Sequence, residues 1–345
     1  MQFTKFASAA ALAAAGALTV TAASAQSRDT IQIAGSSTVL PFASIIAEEY
    51  GNAFPEFKAP VVASGGSSGG LRQFCQGVGP NTIDIANASR AIRPGEIEAC
   101  AAAGVKDIIE VRVGYDGIVF ASDASTNSFA FEPAQIFQAL AAKVPVDGEL
   151  VDNPYTNWNE IDPSLPDQEI MLVIPGSNHG TREVFEEKVV LPGCESFDEI
   201  QALGEEEMEA TCLGLRQDGL VKEIAGDYTE TLGNLSTNPH AVGVFGLSFY
   251  DQNRDRLQVA TVGGVTPSLE TIASGDYPVS RPLFFYVKGE HIGQIPGIEE
   301  YAMFFVSDQM SGAGSILEGA GLIPLSDDER QQQMDKIQNK TSVSN

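Results

Sequence analysis

The strongest constraint on the fold of this chain is one recurring junction: a short apolar run, a segment of glycine and hydroxyl residues, then helix-compatible sequence. It occurs at Gly35-Ser36-Ser37-Thr38-Val39, at Ser64-Gly65-Gly66-Ser67-Ser68-Gly69-Gly70 and at Pro175-Gly176-Ser177-Asn178-His179-Gly180-Thr181-Arg182. Small residues let the backbone approach a ligand closely, and the first N–H groups of each following helix lack an intrahelical acceptor. Several helix N-termini aimed at one point favour an oxyanion such as phosphate or sulfate. Around these junctions the apolar pattern predicts strands over 31–34, 59–63, 82–86 and 170–174. It predicts helices over 41–50, 94–103, 133–142 and 183–190, with a further helix starting at Leu71. The run 105–113 leads through Gly114-Tyr115-Asp116-Gly117 into apolar 118–121. Such alternation predicts an α/β fold with largely parallel sheet. Acidic 195–209 reads as one amphipathic surface helix, and Ser326 with Glu329 as a capping box that opens the last helix.

Residues 1–25 read as a cleaved signal peptide: Lys5, then an Ala-rich apolar stretch, then Ala23-Ser24-Ala25 in an A-x-A pattern. The expectation is an exported, periplasmic chain with no membrane-inserted segment. The formal net charge of -26 argues against nucleic acid or an anionic membrane surface as partner. It also repels an anionic ligand, so local dipoles and a desolvated Arg must overcome a field that salt screens within about 8 to 10 Å.

Four cysteines in an exported chain imply two disulfides. Three pairings are possible; the favoured one joins sequence neighbours, Cys75 with Cys100 and Cys194 with Cys212, so that each bond staples one local loop. The Cys spacings match no zinc motif and His179, His240 and His291 are scattered, so no metal and no cofactor is expected. Gly65-Gly66-Ser67-Ser68-Gly69 satisfies G-x-S-x-G, the nucleophile-elbow pattern, but none of the three His stands in a supporting motif. A serine hydrolase or phosphatase is therefore the weaker reading, and a non-enzyme is expected.

The ordered set GSSTVLPFA (35–43), SSGGLRQF (67–74), DIANASRAI (84–92), VGYDGIVF (113–120), GTREVF (180–185) and YPVSRPLFFYV (277–287) resembles the phosphate-binding proteins that serve ABC transporters. The resemblance covers about residues 26–338. It implies a two-lobed periplasmic binding protein fold of type II, each lobe a mostly parallel sheet flanked by helices, joined by two hinge crossings. Lobe I would comprise 26–113 plus 283–345 and lobe II 118–276, with hinges at 114–117 and 277–282. The implied partners are inorganic phosphate and the permease subunits of an ABC transporter, with the binding protein monomeric; another tetrahedral oxyanion is the alternative ligand.

Carried over by position, the resemblance implies phosphate contacts from Ser36, Ser37 and Thr38 as a group, from Ser67, and from Gly180 and Thr181. Where the best-known members place a proton-accepting Asp, this chain has Arg90. Their Arg upstream of the Gly-Thr pair falls at Pro175, and their Ser before that pair at His179. The branch of the family with GSST and ASR motifs is more similar and suggests Arg90 as the cationic clamp, assisted by Arg182 or His179. Asp116 is the candidate replacement acceptor, expected to take the ligand's proton and to pair with Arg90.

Overall fold

The computed structural model describes residues 28–177, 180–225 and 228–343. The signal peptide read over 1–25 and the candidate ligand residue His179 lie outside the described residues. The strands are β1 (Gln32–Gly35), β2 (Val61–Ser64), β3 (Ile85–Ala88), β4 (Ile108–Asp123), β5 (Ala130–Phe131), β6 (Lys143–Val146), β7 (Glu149–Asp152), β8 (Leu172–Pro175), β9 (Val221–Ile224), β10 (Val242–Gly246), β11 (Leu257–Val259), β12 (Thr261–Val262) and β13 (Ser280–Lys288). The first six helices are α1 (Leu40–Ala53), α2 (Gly66–Phe74), α3 (Pro94–Ala102), α4 (Pro133–Leu140), α5 (Trp158–Ile161) and α6 (Gly180–Phe185).

The strand order β2-β1-β3-β13-β4-β10-β8-β9 forms one path, with β11 also on β4. Parallel pairs lie at either end, β2-β1-β3 and β10-β8-β9. The middle is antiparallel because β4 serves both halves. Its residues 108–117 pair with β13, and its residues 118–122 pair with β10. Two lobes result, each with its own apolar interior. One is built on Ile33, Val111, Phe285 and Phe305, the other on Phe120, Trp158, Val173 and Phe245. The β4–β13 register shifts between Leu283 and Phe284. Nearby Gly114 has φ +158°, and a Cβ there would lie 2.5 Å from the Ile323 carbonyl oxygen. Tyr115 and Ile323 exchange backbone hydrogen bonds at 2.9 Å, which ties the last part of the chain to the crossing.

Several elements differ from the sequence reading. β4 is one 16-residue strand in place of two segments broken at 114–117, since each half finds a different partner sheet. α2 begins at Gly66, five residues before Leu71, so the Gly/Ser segment is itself the first turn. That turn needs glycine at position 70, where a Cβ would meet Gly35 Cα at 2.4 Å; no side chain fits between α2 and β1. β3 occupies 85–88 in place of 82–86; Asp84 just before it bonds Gln32 and Lys288 through its backbone at 2.9 Å, and its carboxylate takes Arg28, the Gln32 amide and His291. The acidic run 195–209 breaks into Asp198–Gln201 and Glu205–Leu213 around Leu203-Gly204. The Ser326–Glu329 capping box is present. Cys75–Cys100 and Cys194–Cys212 are bonded, each pair inside a single apolar cluster. Among the described residues no helix is long and apolar enough to cross a membrane.

Candidate functional site

The three Gly/hydroxyl segments all sit at strand C-terminal ends: β1 leads into α1, β2 into α2 and β8 into α6. In an α/β sheet this edge is where ligands bind. The β1–α1 turn is fixed by Ser36, whose Oγ accepts from the N–H groups of Thr38 at 3.2 Å and Val39 at 3.4 Å. Ser36 is buried and spends its lone pairs inside the turn, so the outward hydroxyls are those of Ser37 and Thr38. Both bond Glu183 Oε2 from α6 of the opposite lobe, Thr38 at 3.5 Å.

The cation beneath these hydroxyls is Arg281 of β13, 2 % exposed. It donates through Nη2 to Thr38 Oγ1 and through Nη1 to Glu187 Oε2 at 2.8 Å. Its Nε lies 3.9 Å from Asp116 Oδ2 and has no hydrogen-bond partner. Register explains the meeting: Arg281 stands opposite Asp116 in the β13–β4 ladder. Arg281 is absent from the residues that family likeness implies for the ligand, although it lies inside the SRPLFFYV run at 280–287. An Arg entering an otherwise apolar strand must be buried with partners, and that was the available signal.

Asp116 lines a cavity of about 310 Å³, with Thr38, Thr181 and Tyr228 among its other polar walls and Phe42 and Phe249 among its apolar ones. Burial pushes the Asp116 carboxyl above the ordinary Asp value; Arg281 opposes that shift and the Glu183 charge adds to it. Thr181 Oγ1 and the Tyr228 hydroxyl are 2.5 Å apart. Burial pushes the Tyr228 hydroxyl up to about 12, so it remains a proton donor at neutral pH.

A second cavity of about 560 Å³ lies on the α2 side, lined by Gly65 to Gly69, Ser89 and Arg90 and closed from the other lobe by Glu183 and Glu187. Ser67 Oγ accepts from the Ser89 amide at 3.0 Å and lies 3.1 Å from Ser89 Oγ. Arg90 does not pair with Asp116. Glu96, in the first turn of α3, takes its guanidinium bidentately at 2.7 and 2.9 Å, and Ser68 Oγ takes a third bond at 2.9 Å. That hydrogen bonding to Glu96 holds the Arg90 guanidinium above its ordinary value.

Arg182 departs from the expected clamp role as well. Its Nε bonds Glu186 at 2.6 Å, and its Nη1 bonds the Pro175 carbonyl at 3.0 Å and Glu223 at 2.7 Å. It lines neither cavity; four residues after its own position Glu186 is within reach along the helix, so Arg182 braces α6 against β8 and β9. Gly180 opens α6, whose helical path continues through a π-helical turn at Glu186–Val190. Ser37, Thr38, Asp116, Thr181 and Arg281 thus meet between the lobes, Ser67 and Arg90 line the α2-side cavity, and Ser36 and Arg182 hold the β1–α1 turn and α6 in place behind them.

Comparison with known proteins agrees with this architecture. The chain is 28% identical over 309 residues to Protein SphX of Synechococcus elongatus, covering 88% of this chain and 79% of that one. It is 27% identical over 298 residues to the phosphate-binding protein PstS of Staphylococcus epidermidis, covering 84% and 77%. Among solved structures, a possible phosphate binding protein from Planctomyces limnophilus superposes with a TM-score of 0.72 at 25% identity, covering 91% of this chain and 99% of that one. PstS from Borrelia burgdorferi superposes with a TM-score of 0.60 at 21% identity, covering 87% and 100%, and shows the fold. The PBP superfamily domain matches residues 20–309, and with two lobes sharing β4 the chain belongs to that family and has the type II periplasmic binding protein fold.

Proposed function

We propose that this protein captures inorganic phosphate in the cleft between its lobes and delivers it to the permease subunits of an ABC transporter, working as a monomer in the periplasm. One observation carries the reading: a buried Arg281 guanidinium lies beneath the Ser37 and Thr38 hydroxyls at the start of α1, with Thr181 and the Tyr228 hydroxyl across the same cleft. A fixed cation among hydroxyl donors suits a tetrahedral oxyanion, and its desolvation lets it act despite the acidic surface. Names of the relatives support phosphate as that anion. A hydrolase reading fits poorly, since the Ser67 hydroxyl is engaged by Ser89, and His291 by Asp84 and the Gly79 amide.

In this reading lobe I spans 26–113 plus 283–345 and lobe II 118–276. Bending at 114–117 and 277–282 opens the cleft, supported by the way β4 and β13 run together through that level. Asp116 is the proton acceptor that separates phosphate from sulfate, because an ionised carboxylate accepts from a phosphate hydroxyl but only repels a fully ionised sulfate.

Titration calorimetry of the mature chain against phosphate and sulfate tests the proposal: phosphate is expected to bind and sulfate to bind far more weakly. Equal or tighter sulfate binding would overturn it. Asp116→Asn should shrink the phosphate-to-sulfate affinity ratio. The same substitution carries a stability signature. A carboxyl raised on folding stabilises below its unfolded value and loses that contribution as pH rises through its folded value. Asp116→Asn should therefore be more stable than the parent near neutral pH and lose that advantage in acid below the ordinary Asp value, as read by denaturant unfolding at both pH values.

A further inference from the structure

The strongest donors of the cleft are already engaged, and by side chains of the opposite lobe. Glu183 of α6 and Glu187 of the π-helical turn that continues it stand four residues apart, and both reach across the cleft. Glu183 Oε2 accepts from the Ser37 and Thr38 hydroxyls, and Glu187 Oε2 accepts from Arg281 at 2.8 Å, with Glu183 Oε1 3.9 Å from the same guanidinium. A carboxylate presents two acceptor oxygens much as one edge of a phosphate does, and it uses the same hydroxyl and guanidinium donors. The π-helical turn at Glu186–Val190 adds to the effect, since widening the helix there re-aims the residues it contains, Glu187 among them.

Charge sharpens the point. Asp116, Glu183 and Glu187 face Arg281, while Arg90 is held by Glu96. An incoming dianion cannot reach Ser37, Thr38 and Arg281 while the two glutamates remain on them. Room to leave exists, because the Glu183 and Glu187 side chains are 41% and 47% exposed, against 2% for Arg281.

We propose that Glu183 and Glu187 are a resident carboxylate latch, which joins the lobes across the cleft and which the ligand must displace. This rests on the reading of the cleft as a phosphate site. The latch makes binding an exchange of anions on fixed donors. It lowers the net affinity for every anion and favours those able to make more bonds to Ser37, Thr38 and Arg281 than two carboxylate oxygens do. Weakly bonding anions such as chloride or nitrate cannot compete with it, so the two glutamates act as specificity residues.

The test uses the mature full-length chain with Glu183→Gln/Glu187→Gln and Glu183→Ala/Glu187→Ala, whose folding is checked by circular dichroism. Inorganic phosphate and sulfate are titrated by calorimetry, and the ligand-free shape is followed by small-angle X-ray scattering. Loss of the competing charge should tighten phosphate binding about tenfold or more, the size of one charge-assisted bond no longer broken on entry. The ligand-free variants should also show a larger radius of gyration than the parent. Unchanged or weaker phosphate binding by both folded variants would overturn the latch; a loss confined to phosphate, with sulfate unaffected, would overturn it by making Glu183 a ligand-contacting acceptor. The scattering arm needs no ligand. A parent that fails to bind phosphate therefore sinks the functional reading, whereas an unchanged radius of gyration in the variants sinks the latch.

Discussion

Arg281→Ala is expected to weaken phosphate binding by about 2 to 5 kcal/mol, a factor of roughly thirty to several thousand, which is the cost of removing one partner from a buried charge-assisted contact. The expectation follows from position. Arg281 is 2% exposed, is held by Thr38 and Glu187, and has an Nε with no hydrogen-bond partner. Without it, Asp116, Glu183 and Glu187 would face an incoming anion with no buried cation between them. Arg281→Lys should recover only part of the loss, because an ammonium cannot hold Thr38, approach Asp116 and meet the ligand from one planar fork. Calorimetry on the folded variants reads the effect directly. Parent-like affinity in Arg281→Ala would move the anion away from Thr38 and Asp116 and toward the cavity beside α2.

The second large effect concerns the disulfides. Cys75–Cys100 and Cys194–Cys212 bridge residues 25 and 18 apart, and in the chain-entropy model each contributes about 3 kcal/mol by restricting the unfolded chain. All four cysteines are buried, so reduction also exposes thiols to well-packed surroundings. Each bond lies within one lobe: the first under α2 and α3, the second beside the helical stretch that follows α6. Cys75→Ala/Cys100→Ala and Cys194→Ala/Cys212→Ala should each lower the melting temperature markedly while leaving phosphate affinity near the parent value wherever the protein is folded. Differential scanning calorimetry with parallel titrations distinguishes the cases. A variant that melts like the parent would contradict the stabilising role, and one that stays folded yet loses phosphate would contradict the separation of the disulfides from the cleft.

What was legible in the sequence was local. The βα alternation, the glycine and hydroxyl junctions, the neighbour pairing of the cysteines and the Ser326–Glu329 cap each depend on residues a few positions apart, or on loops short enough for spacing to decide. Even there, the start of α2 was set by something distant, because the closeness of Gly70 to Gly35 comes from the packing of α2 on β1. The ionic pairings were less legible. Arg90 had Glu96 six residues away and Arg182 had Glu186 four away, and in each case the nearby carboxylate took the guanidinium that family likeness had assigned to the ligand.

The sequence by itself determined an α/β chain with hydroxyl-bearing loops at strand ends and two local disulfides. Only the tertiary structure decided which charges meet in the cleft. Thr38, Asp116, Glu183, Glu187 and Arg281 are brought together by the antiparallel pairing of β13 with β4 and by the facing of α6 to α1. Residues so far apart in the chain carry no periodic or capping signal of their meeting. The reason is physical: local signals arise from one residue's fit to its own backbone, whereas the partner of a buried charge is chosen by whatever strand order places within reach.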